Sequence, residues 1–197
     1  NCYKDVKKLM PFLHLPIQSG SNKVLKNMNR KYTKEKYLSI VEKIRKNSPN
    51  IEFSSDFIIG YPGESDKDFN DTIDLIKKVK FINSFSFIYN KRPGTPAANL
   101  ACIDIEIQKR RLIVLQDLLK EIQEEKNKKN IGKIKEVLVE NRLKNQDKFF
   151  GRTCELTPVV FDAKEQDIGK IADVEIINST HNSLYGLKAI PRKEVAA

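Results

Sequence analysis

The fold of the first half of the chain is decided by residues 51–64, which read IEFSSDFIIGYPGE. The first nine of these residues are rich in aromatic and β-branched side chains, which is typical of a buried strand. The run ends at Gly60, and Ser65 is followed by Asp68 at the spacing of a capping box, which starts a helix. This stretch therefore predicts a strand that continues through a glycine-bearing loop into a helix.

The same order of strand, loop and helix occurs before and after this stretch. Upstream, the apolar run 12–17 ends in the polar loop 18–21, and a helix is predicted over 33–46. Downstream, a third strand is predicted over 81–89 and is followed by the loop 92–96. Strands that alternate with helices form parallel sheets, so we expect all three loops at one edge, where α/β proteins bind ligands.

The second half of the chain changes from a helical period to a strand period. A long amphipathic linker helix is predicted over 104–130. Five short strands with turn residues between them follow, and they predict a small all-β barrel over 131–197, with its last strand ending at Ile190. The predicted fold class is therefore α/β for residues 1–103, followed by a small all-β barrel.

Length and composition exclude several classes of protein. A chain of 197 residues with 40% hydrophobic and 31% charged residues can form a domain and a smaller second one. No run approaches the roughly 18 apolar residues of a membrane span, and the first residues lack the apolar core of an export signal. We therefore expect no membrane contact and a cytoplasmic location. Because the chain begins with Asn rather than Met, it is expected to be a piece of a longer protein.

The cysteines are too scattered to predict a metal centre. Cys2, Cys102 and Cys154 are the three cysteines, and their spacing fits neither a disulfide framework nor a CxxxCxxC cluster motif. We expect Cys102 and Cys154 to be ordinary small buried residues, and we predict no metal ligand in this chain.

The net charge of +10 is concentrated near the start of the chain. Residues 1–50 contain twelve Lys and Arg against three Asp and Glu, a net charge of +9. Such a surface binds nucleic-acid phosphates in many proteins. Lysine greatly outnumbers arginine, however, so a solvated lysine surface without a partner explains the charge equally well.

Polar side chains in the three loops suit a small polar ligand. The first loop offers neutral donors and acceptors, while Arg30 and Arg92 have the fork geometry for a carboxylate or a phosphate. Asp56 lies near a strand end, where a carboxylate must face the edge or find a partner. No pair of nucleophile and base is visible, so no catalytic residue is predicted. The neutral side chains of the first loop are Gln18, Ser19 and Ser21.

Several ordered motifs resemble the radical S-adenosylmethionine methylthiotransferases. Residues 14–21 read HLPIQSGS, residues 28–33 read MNRKYT, and residues 54–64 read SSDFIIGYPGE. Residues 85–98, which read FSFIYNKRPGTPAA, are most similar to the branch of the family that modifies tRNA. The triplet GRT at 151–153 is similar to the TRAM domain that ends these enzymes. The resemblance covers nearly the whole chain.

The resemblance implies a fold and an activity. The chain would be the second half of a βα radical-SAM barrel followed by an OB-like TRAM barrel. The complete enzyme would be a transferase that adds a methylthio group to carbon 2 of isopentenyl-adenosine, at position 37 next to the anticodon of tRNA. It would use S-adenosylmethionine and two [4Fe-4S] clusters whose ligands lie outside this chain. The chain alone would be inactive without the missing N-terminal half.

The resemblance also implies roles for individual residues. Residues of the first loop and Arg30 would lie near the amino-acid end of S-adenosylmethionine, and residues of the next strand would border its adenine. Residues of the third loop would face cofactor or substrate, and basic residues of the TRAM barrel would contact RNA. The implied cofactor residues are Gln18, Ser19, Ser21, Arg30, Asp56, Ile58 and Gly60; the implied substrate and RNA residues are Arg92, Thr95, Lys133, Lys135, Lys148 and Arg152.

Two alternatives remain open from the sequence. One is the relative in the same superfamily that methylthiolates a ribosomal protein. The other is a noncatalytic RNA-binding remnant of a split gene, which would keep the TRAM barrel and a partial sheet.

Overall fold

A computed structural model of the protein describes residues 2–144 and 146–189. The end of the last predicted strand at Ile190 and the remainder of the 131–197 region beyond it lie outside these residues. The chain divides into two compact units, Asn1–Ile122 and Gln123–Ala197. The long helix α5, Ile105–Lys128, crosses this division.

The first unit is built on short parallel strands. Strand β1 (Phe12–His14) pairs with β2 (Glu52–Ser54), and β3 (Asp56–Ile59) pairs with β4 (Phe85–Ile88), both in parallel. A parallel bridge between Gln18 and Phe57 continues the pairing from the first strand to β3. The prediction of parallel strands in this half of the chain is therefore confirmed.

Three of the predicted strands differ in detail from those observed. The first, predicted over 12–17, ends at His14. The strand predicted over 51–59 is divided at Ser55, whose backbone N–H donates to the Ser84 hydroxyl at 3.0 Å instead of pairing within a strand. The strand predicted over 81–89 begins only at Phe85, because Asn83 has a φ of 45° that interrupts extended backbone. The apolar residue Phe81 is nevertheless fully buried, so it contributes to the core from the connecting segment.

Helices cover one side of these strands. They are α1 (Cys2–Asp5), α2 (Asn22–Asn27), α3 (Lys34–Asn47), α4 (Asp66–Val79) and the first part of α5. The capping box predicted at Ser65 and Asp68 is present at the start of α4. The core between helices and strands is closely packed and aromatic; its members include Phe53, Phe57, Ile59, Leu75, Ile76, Phe81 and Leu115.

The second unit is a closed five-stranded barrel. Its strands are β5 (Ile134–Arg142), β6 (Phe149–Thr153), β7 (Pro158–Phe161), β8 (Ile171–Ser179) and β9 (Leu184–Lys188), in the order β5-β6-β7-β9-β8. All pairs are antiparallel except β7 with β9. Alternate side chains point into a separate apolar core, as the period of two predicts. The five predicted strands are confirmed.

The three cysteines differ from the sequence prediction. Cys2, Cys102 and Cys154 are all exposed and free, so the prediction that Cys102 and Cys154 are buried is wrong. Cys102 lies in the irregular segment before α5, and Cys154 lies in the turn after β6, where the chain has left the core.

Among the described residues, none of the helices combines the length and the apolar character needed to cross a bilayer.

Candidate functional site at the strand ends

Residues in or next to the three loops that follow β1, β3 and β4 meet in one small apolar cluster. We call it the edge cluster: Val24, Tyr61 and Ala97 are buried together, with Met28 and Tyr89 packed against them. The rings of Tyr61 and Tyr89 meet edge to face with centroids 5.1 Å apart. Tyr61 belongs to the second loop, while the other members come from α2 after the first loop and from residues on either side of the third, so the strand order brings these three segments to the same edge.

The first loop is held against helix α4. The backbone N–H of Gly20 donates to the Thr72 hydroxyl at 2.9 Å, and the Ser19 hydroxyl lies 3.4 Å from the same oxygen. A Cβ atom on Gly20 would overlap with the carbonyl oxygen of Asp71 and lie 2.6 Å from the Thr72 Cα. The absence of a side chain at Gly20 therefore sets how closely the loop approaches the helix.

Gln18 joins this loop to strand β3 in an unusual conformation. Its backbone N–H donates to the Asp56 carbonyl at 3.0 Å, and its carbonyl accepts from the N–H of Ile58 at 2.9 Å. Its φ is 75°, which is uncommon for a residue with a side chain and is found repeatedly at functional sites. The pairing places three of the predicted cofactor residues, Gln18, Asp56 and Ile58, side by side.

A buried carboxylate connects the first loop with the start of α4. Asp68 accepts hydrogen bonds from the hydroxyls of Ser21 and Ser65, each at 2.6 Å, and from Lys23 Nζ at 3.0 Å. Burial acts to raise the pKa of Asp68, but the hydrogen bonds from Ser21, Ser65 and Lys23 outweigh it and hold the pKa well below its usual range. The Ser21 hydroxyl is thus already engaged, as donor to Asp68 and as cap of α2.

This carboxylate predicts a dependence of stability on pH. The ionised form of Asp68 is stabilised in the folded state. Its contribution to the free energy of unfolding is therefore complete above about pH 3.9, the pKa of Asp in an unfolded chain. It is lost as the pH falls from there towards the lower pKa that Asp68 has in the folded state. We expect Asp68→Asn to lower the free energy of unfolding at pH 7 by about 2 kcal/mol and to flatten its decline between pH 5 and pH 3. Urea unfolding at several pH values measures both effects.

The matched control is Asp74→Asn, since Asp74 is exposed on the same helix. We expect this variant to follow the unsubstituted chain at every pH. A decline in stability with acid that is as steep in Asp68→Asn as in the unsubstituted chain would contradict the assignment.

The second loop is closed by a buried ion pair with α5. The Glu64 Oε2 atom accepts from the Gly60 N–H and from Arg111 Nη1, both at 2.9 Å, and Gln108 Nε2 donates to the Gly60 carbonyl at 2.9 Å. Burial raises the pKa of Glu64, even though the Gly60 N–H and the Arg111 guanidinium favour its ionised form. Arg111 also reaches the carboxylate of Asp66 at 2.7 Å.

The other side of the strands is open. His14 Nδ1 lies 2.6 Å from the Ser54 hydroxyl, and its Nε2 lies 3.5 Å from the Asp56 carboxylate. Asp56 is thus partnered and still partly exposed. Phe85 and Phe87, which are opposite Asp56 and Ile58 in the parallel register, are 59% and 55% exposed. An apolar surface with a histidine and a carboxylate therefore lies beside the predicted cofactor residues.

The remaining predicted residues of the first unit are on the surface. Arg30 follows the left-handed residue Asn29 at the end of α2, and Arg92 and Thr95 form a turn in which the Thr95 hydroxyl donates to the Arg92 carbonyl at 2.8 Å. Across residues 2–144 and 146–189, neither the Arg30 nor the Arg92 guanidinium forms an ion pair. Both cations are therefore available to an anionic ligand.

The four basic residues predicted to contact RNA differ in their surroundings. Arg152 Nη1 lies 2.8 and 2.7 Å from the two carboxylate oxygens of Glu140, and its guanidinium stacks on Phe150. Lys148 pairs with Asp162 at 2.8 Å, and Lys135 pairs with Glu155 at 3.1 Å. Lys133 is exposed and has no acidic partner within the described part of the chain.

Two side chains of α5 reach the second loop and were not predicted from the sequence. Gln108 and Arg111 are 4% and 8% exposed, although each belongs to a strongly polar segment. Their spacing of three residues places them on one helix face, and Leu115 continues that face into the core. That spacing is the one signal in the sequence that could have identified them.

Two protein families match this chain, one in each of its two compact units. The Radical SAM superfamily matches residues 3–76, and the TRAM domain matches residues 128–188. A protein of Pelagibacter ubique is 55% identical over the whole chain, which covers 44% of that protein. A protein of Wolbachia of Brugia malayi is 45% identical over 93% of this chain, which covers 42% of that protein. A protein of Maricaulis maris is 43% identical over 93% of this chain, which covers 41% of that protein.

All three relatives are named tRNA-2-methylthio-N(6)-dimethylallyladenosine synthase. The chain spans less than half of their length and matches their C-terminal part. The Radical SAM match lies within the first folded unit, and the TRAM match lies within the second. The chain is therefore similar to the C-terminal part of these relatives, and it joins a segment that matches the Radical SAM superfamily to a TRAM domain.

Proposed function

We propose that the chain is the C-terminal part of an enzyme that adds a methylthio group to carbon 2 of isopentenyl-adenosine, at position 37 of tRNA. The observation that carries this proposal is that the segments in and beside the three loops meet in the edge cluster, on a chain that also matches the TRAM domain. The shared name of the curated relatives supports the same substrate.

The residues at the strand ends fit S-adenosylmethionine. Ile58 offers an apolar side chain to the adenine, Gly60 continues the same border at the strand end, and Arg30 offers an exposed guanidinium to the carboxylate. Gln18 and the first loop offer neutral hydrogen-bonding groups to the polar end. When bound, S-adenosylmethionine would supply the methyl group of the product. The protein residues would orient the cofactor and hold its charged end at the edge.

The residues present do not fit an iron–sulfur cluster. No group of three His, Cys, Asp or Glu side chains that could hold a metal ion occurs in the described ranges, and the three cysteines are far apart in the sequence. We propose that the family's two [4Fe-4S] clusters are held by residues outside this chain, and we assign no step to a cluster here.

We also propose that the parallel strands of the first unit are the second half of a βα barrel. The exposed Phe85 and Phe87 support this, because apolar side chains on an open sheet face are normally covered in the complete protein. The covering strands would come from the N-terminal half of the same enzyme. A tRNA substrate places the complete enzyme in the cytoplasm.

The TRAM barrel is proposed to bind tRNA phosphates. Cation–phosphate contacts release counterions, so we expect affinity for tRNA to fall as the salt concentration rises. Within the described residues no acidic side chain competes for Lys133, and we therefore expect Lys133→Ala to reduce the salt slope by about one. Lys148→Ala is the comparison variant, and it should reduce the slope by less, because the Asp162 carboxylate partly offsets the charge of Lys148. Filter binding at several salt concentrations measures the slope, and affinity that does not change with salt would contradict this role.

A chimera tests the proposed activity. The Pelagibacter ubique relative would carry this chain in place of its own matching segment, and the unaltered relative would be the control. We expect the chimera to convert isopentenyl-adenosine in tRNA to its 2-methylthio form, as measured by mass spectrometry of nucleosides. Methylthiolation of a ribosomal protein instead would contradict the tRNA substrate. Loss of all activity with retained tRNA binding would favour a noncatalytic RNA-binding role.

A further inference from the structure

We infer that Gln108 and Arg111 are positioning residues, which hold the second loop, residues 60–64, in the conformation that borders the cofactor. The inference rests on the proposed function, because it takes Ile58 and Gly60 as neighbours of S-adenosylmethionine. Neither side chain is placed in contact with the cofactor. Both act from α5 through the polar groups of the loop.

Gln108 fixes the start of the loop. Its Nε2 donates to the Gly60 carbonyl at 2.9 Å, and the amide side chain occupies the space where a side chain on Gly60 would lie, since a Cβ there would be 2.5 Å from Gln108 Cγ. Gly60 has a φ of 74°, a conformation that glycine adopts without a steric penalty. Gln108 therefore selects one orientation of a peptide group that glycine alone would leave free.

Arg111 fixes the end of the loop. Its Nη1 donates to the Glu64 carboxylate at 2.9 Å and to the Glu64 carbonyl at 3.2 Å, while the guanidinium lies 5.6 Å from the centre of the Phe69 ring. The same carboxylate oxygen accepts from the Gly60 N–H, so Arg111 holds Glu64 where it closes the loop. Both polar backbone groups of Gly60 are thus satisfied, one by Gln108 and one by the carboxylate that Arg111 orients.

The hydrogen bonds to Gly60 affect cofactor binding, because Gly60 lies next to the proposed adenine border. Ile58 lies two residues before Gly60, and its N–H is paired to Gln18 of the first loop. A change in the Gly60 peptide therefore moves the proposed adenine border without removing any group that touches the cofactor. If the binding-competent conformation of the loop falls to about one tenth of the population, the dissociation constant rises about tenfold.

The test uses Gln108→Met, which keeps the size of the side chain and removes the donor. Gln108→Asn is the second variant, since it keeps an amide on a shorter side chain and preserves folding if the first fails. Gln116→Met is the matched control on the same helix, because Gln116 is exposed and donates to the Ser86 hydroxyl at 3.3 Å. Arg111→Lys keeps the charge and loses the second donor direction of the guanidinium.

Two measurements are made on the chimera described above, which supplies the N-terminal half: amide hydrogen exchange of residues 58–65 of this chain, and the affinity for S-adenosylmethionine by calorimetry. We expect Gln108→Met to accelerate exchange at Gly60 and to weaken binding about tenfold. Gln108→Asn and Arg111→Lys are expected to have smaller effects in the same direction, and Gln116→Met none.

Faster exchange in Gln108→Met with unchanged affinity would show that the contact only stabilises the fold, and would overturn the inference while leaving the proposed function intact. If the chimera without further substitution binds no S-adenosylmethionine, the proposed cofactor site and the inference are both overturned. Thermal unfolding followed by circular dichroism separates these outcomes from a general loss of folding.

Discussion

Arg111→Met is expected to lower the free energy of unfolding of the first unit by about 3 kcal/mol. The variant removes the cation from a buried ion pair and leaves the Glu64 carboxylate in an environment that excludes water. Removing one partner of such a pair is far more damaging than replacing both, because the remaining charge is uncompensated. Burial already raises the pKa of Glu64, and the variant would raise it further.

Urea unfolding followed at 222 nm measures this effect, since the helices lie mainly in the first unit. Lys109→Met is the matched control: Lys109 pairs with Glu106 on the exposed side of α5, and its removal should change the stability by less than about 1 kcal/mol. The double variant Arg111→Met, Glu64→Gln should recover part of the loss. The loss should also shrink in acid, where the Glu64 carboxylate takes up a proton. An effect of Arg111→Met no larger than that of Lys109→Met would contradict the buried pair.

Gly20→Ala is expected to lower the stability of the first unit by about 3 kcal/mol, the upper part of the range for overpacking. The added methyl group would overlap with the backbone of α4 at Asp71 and Thr72, which cannot move aside as a flexible side chain would. The strain would act on the loop that contains Ser19 and Ser21, so binding of S-adenosylmethionine should weaken together with stability.

Gly63→Ala separates this steric overlap from backbone strain. Gly63 has a φ of 79°, and a Cβ added to it would have no atom within 4 Å, so its replacement should have only the conformational penalty of about 1 kcal/mol. Thermal and urea unfolding of the two variants give the comparison. Equal losses for Gly20→Ala and Gly63→Ala would mean that the close approach of the first loop to α4 is not what requires glycine.

Local sequence patterns predicted most of the secondary structure. Periodicity identified the parallel strands, the capping box of Ser65 and Asp68, and all five strands of the barrel, because these features depend on neighbours within a few residues. The division of the second strand at Ser55 was not predictable in this way. It depends on Ser84, which is 29 residues away and becomes a neighbour only in the folded chain.

The sequence predicted where the candidate site lies, but not which side chains contact one another there. The order of strands brought the three loops together, but the partners of the loop residues come from distant helices. Ser21 donates to Asp68 at a separation of 47 residues, and Gly60 accepts from Gln108 at a separation of 48. Exposure of Cys102 and Cys154 was mispredicted for a related reason, since residue type alone does not tell when the chain leaves the core.

A nuclear magnetic resonance titration of the isotopically labelled chain with S-adenosylmethionine shows whether the three loops at the strand ends form one cofactor-binding edge. We predict that the amide shifts change in the first loop around Gln18, at Ile58 and Gly60, and in the turn of Arg92 and Thr95, while the barrel strands β5 to β9 stay unchanged. Shifts confined to the barrel, or no shift at the three loops at saturating cofactor, would contradict the assignment of this edge to the cofactor.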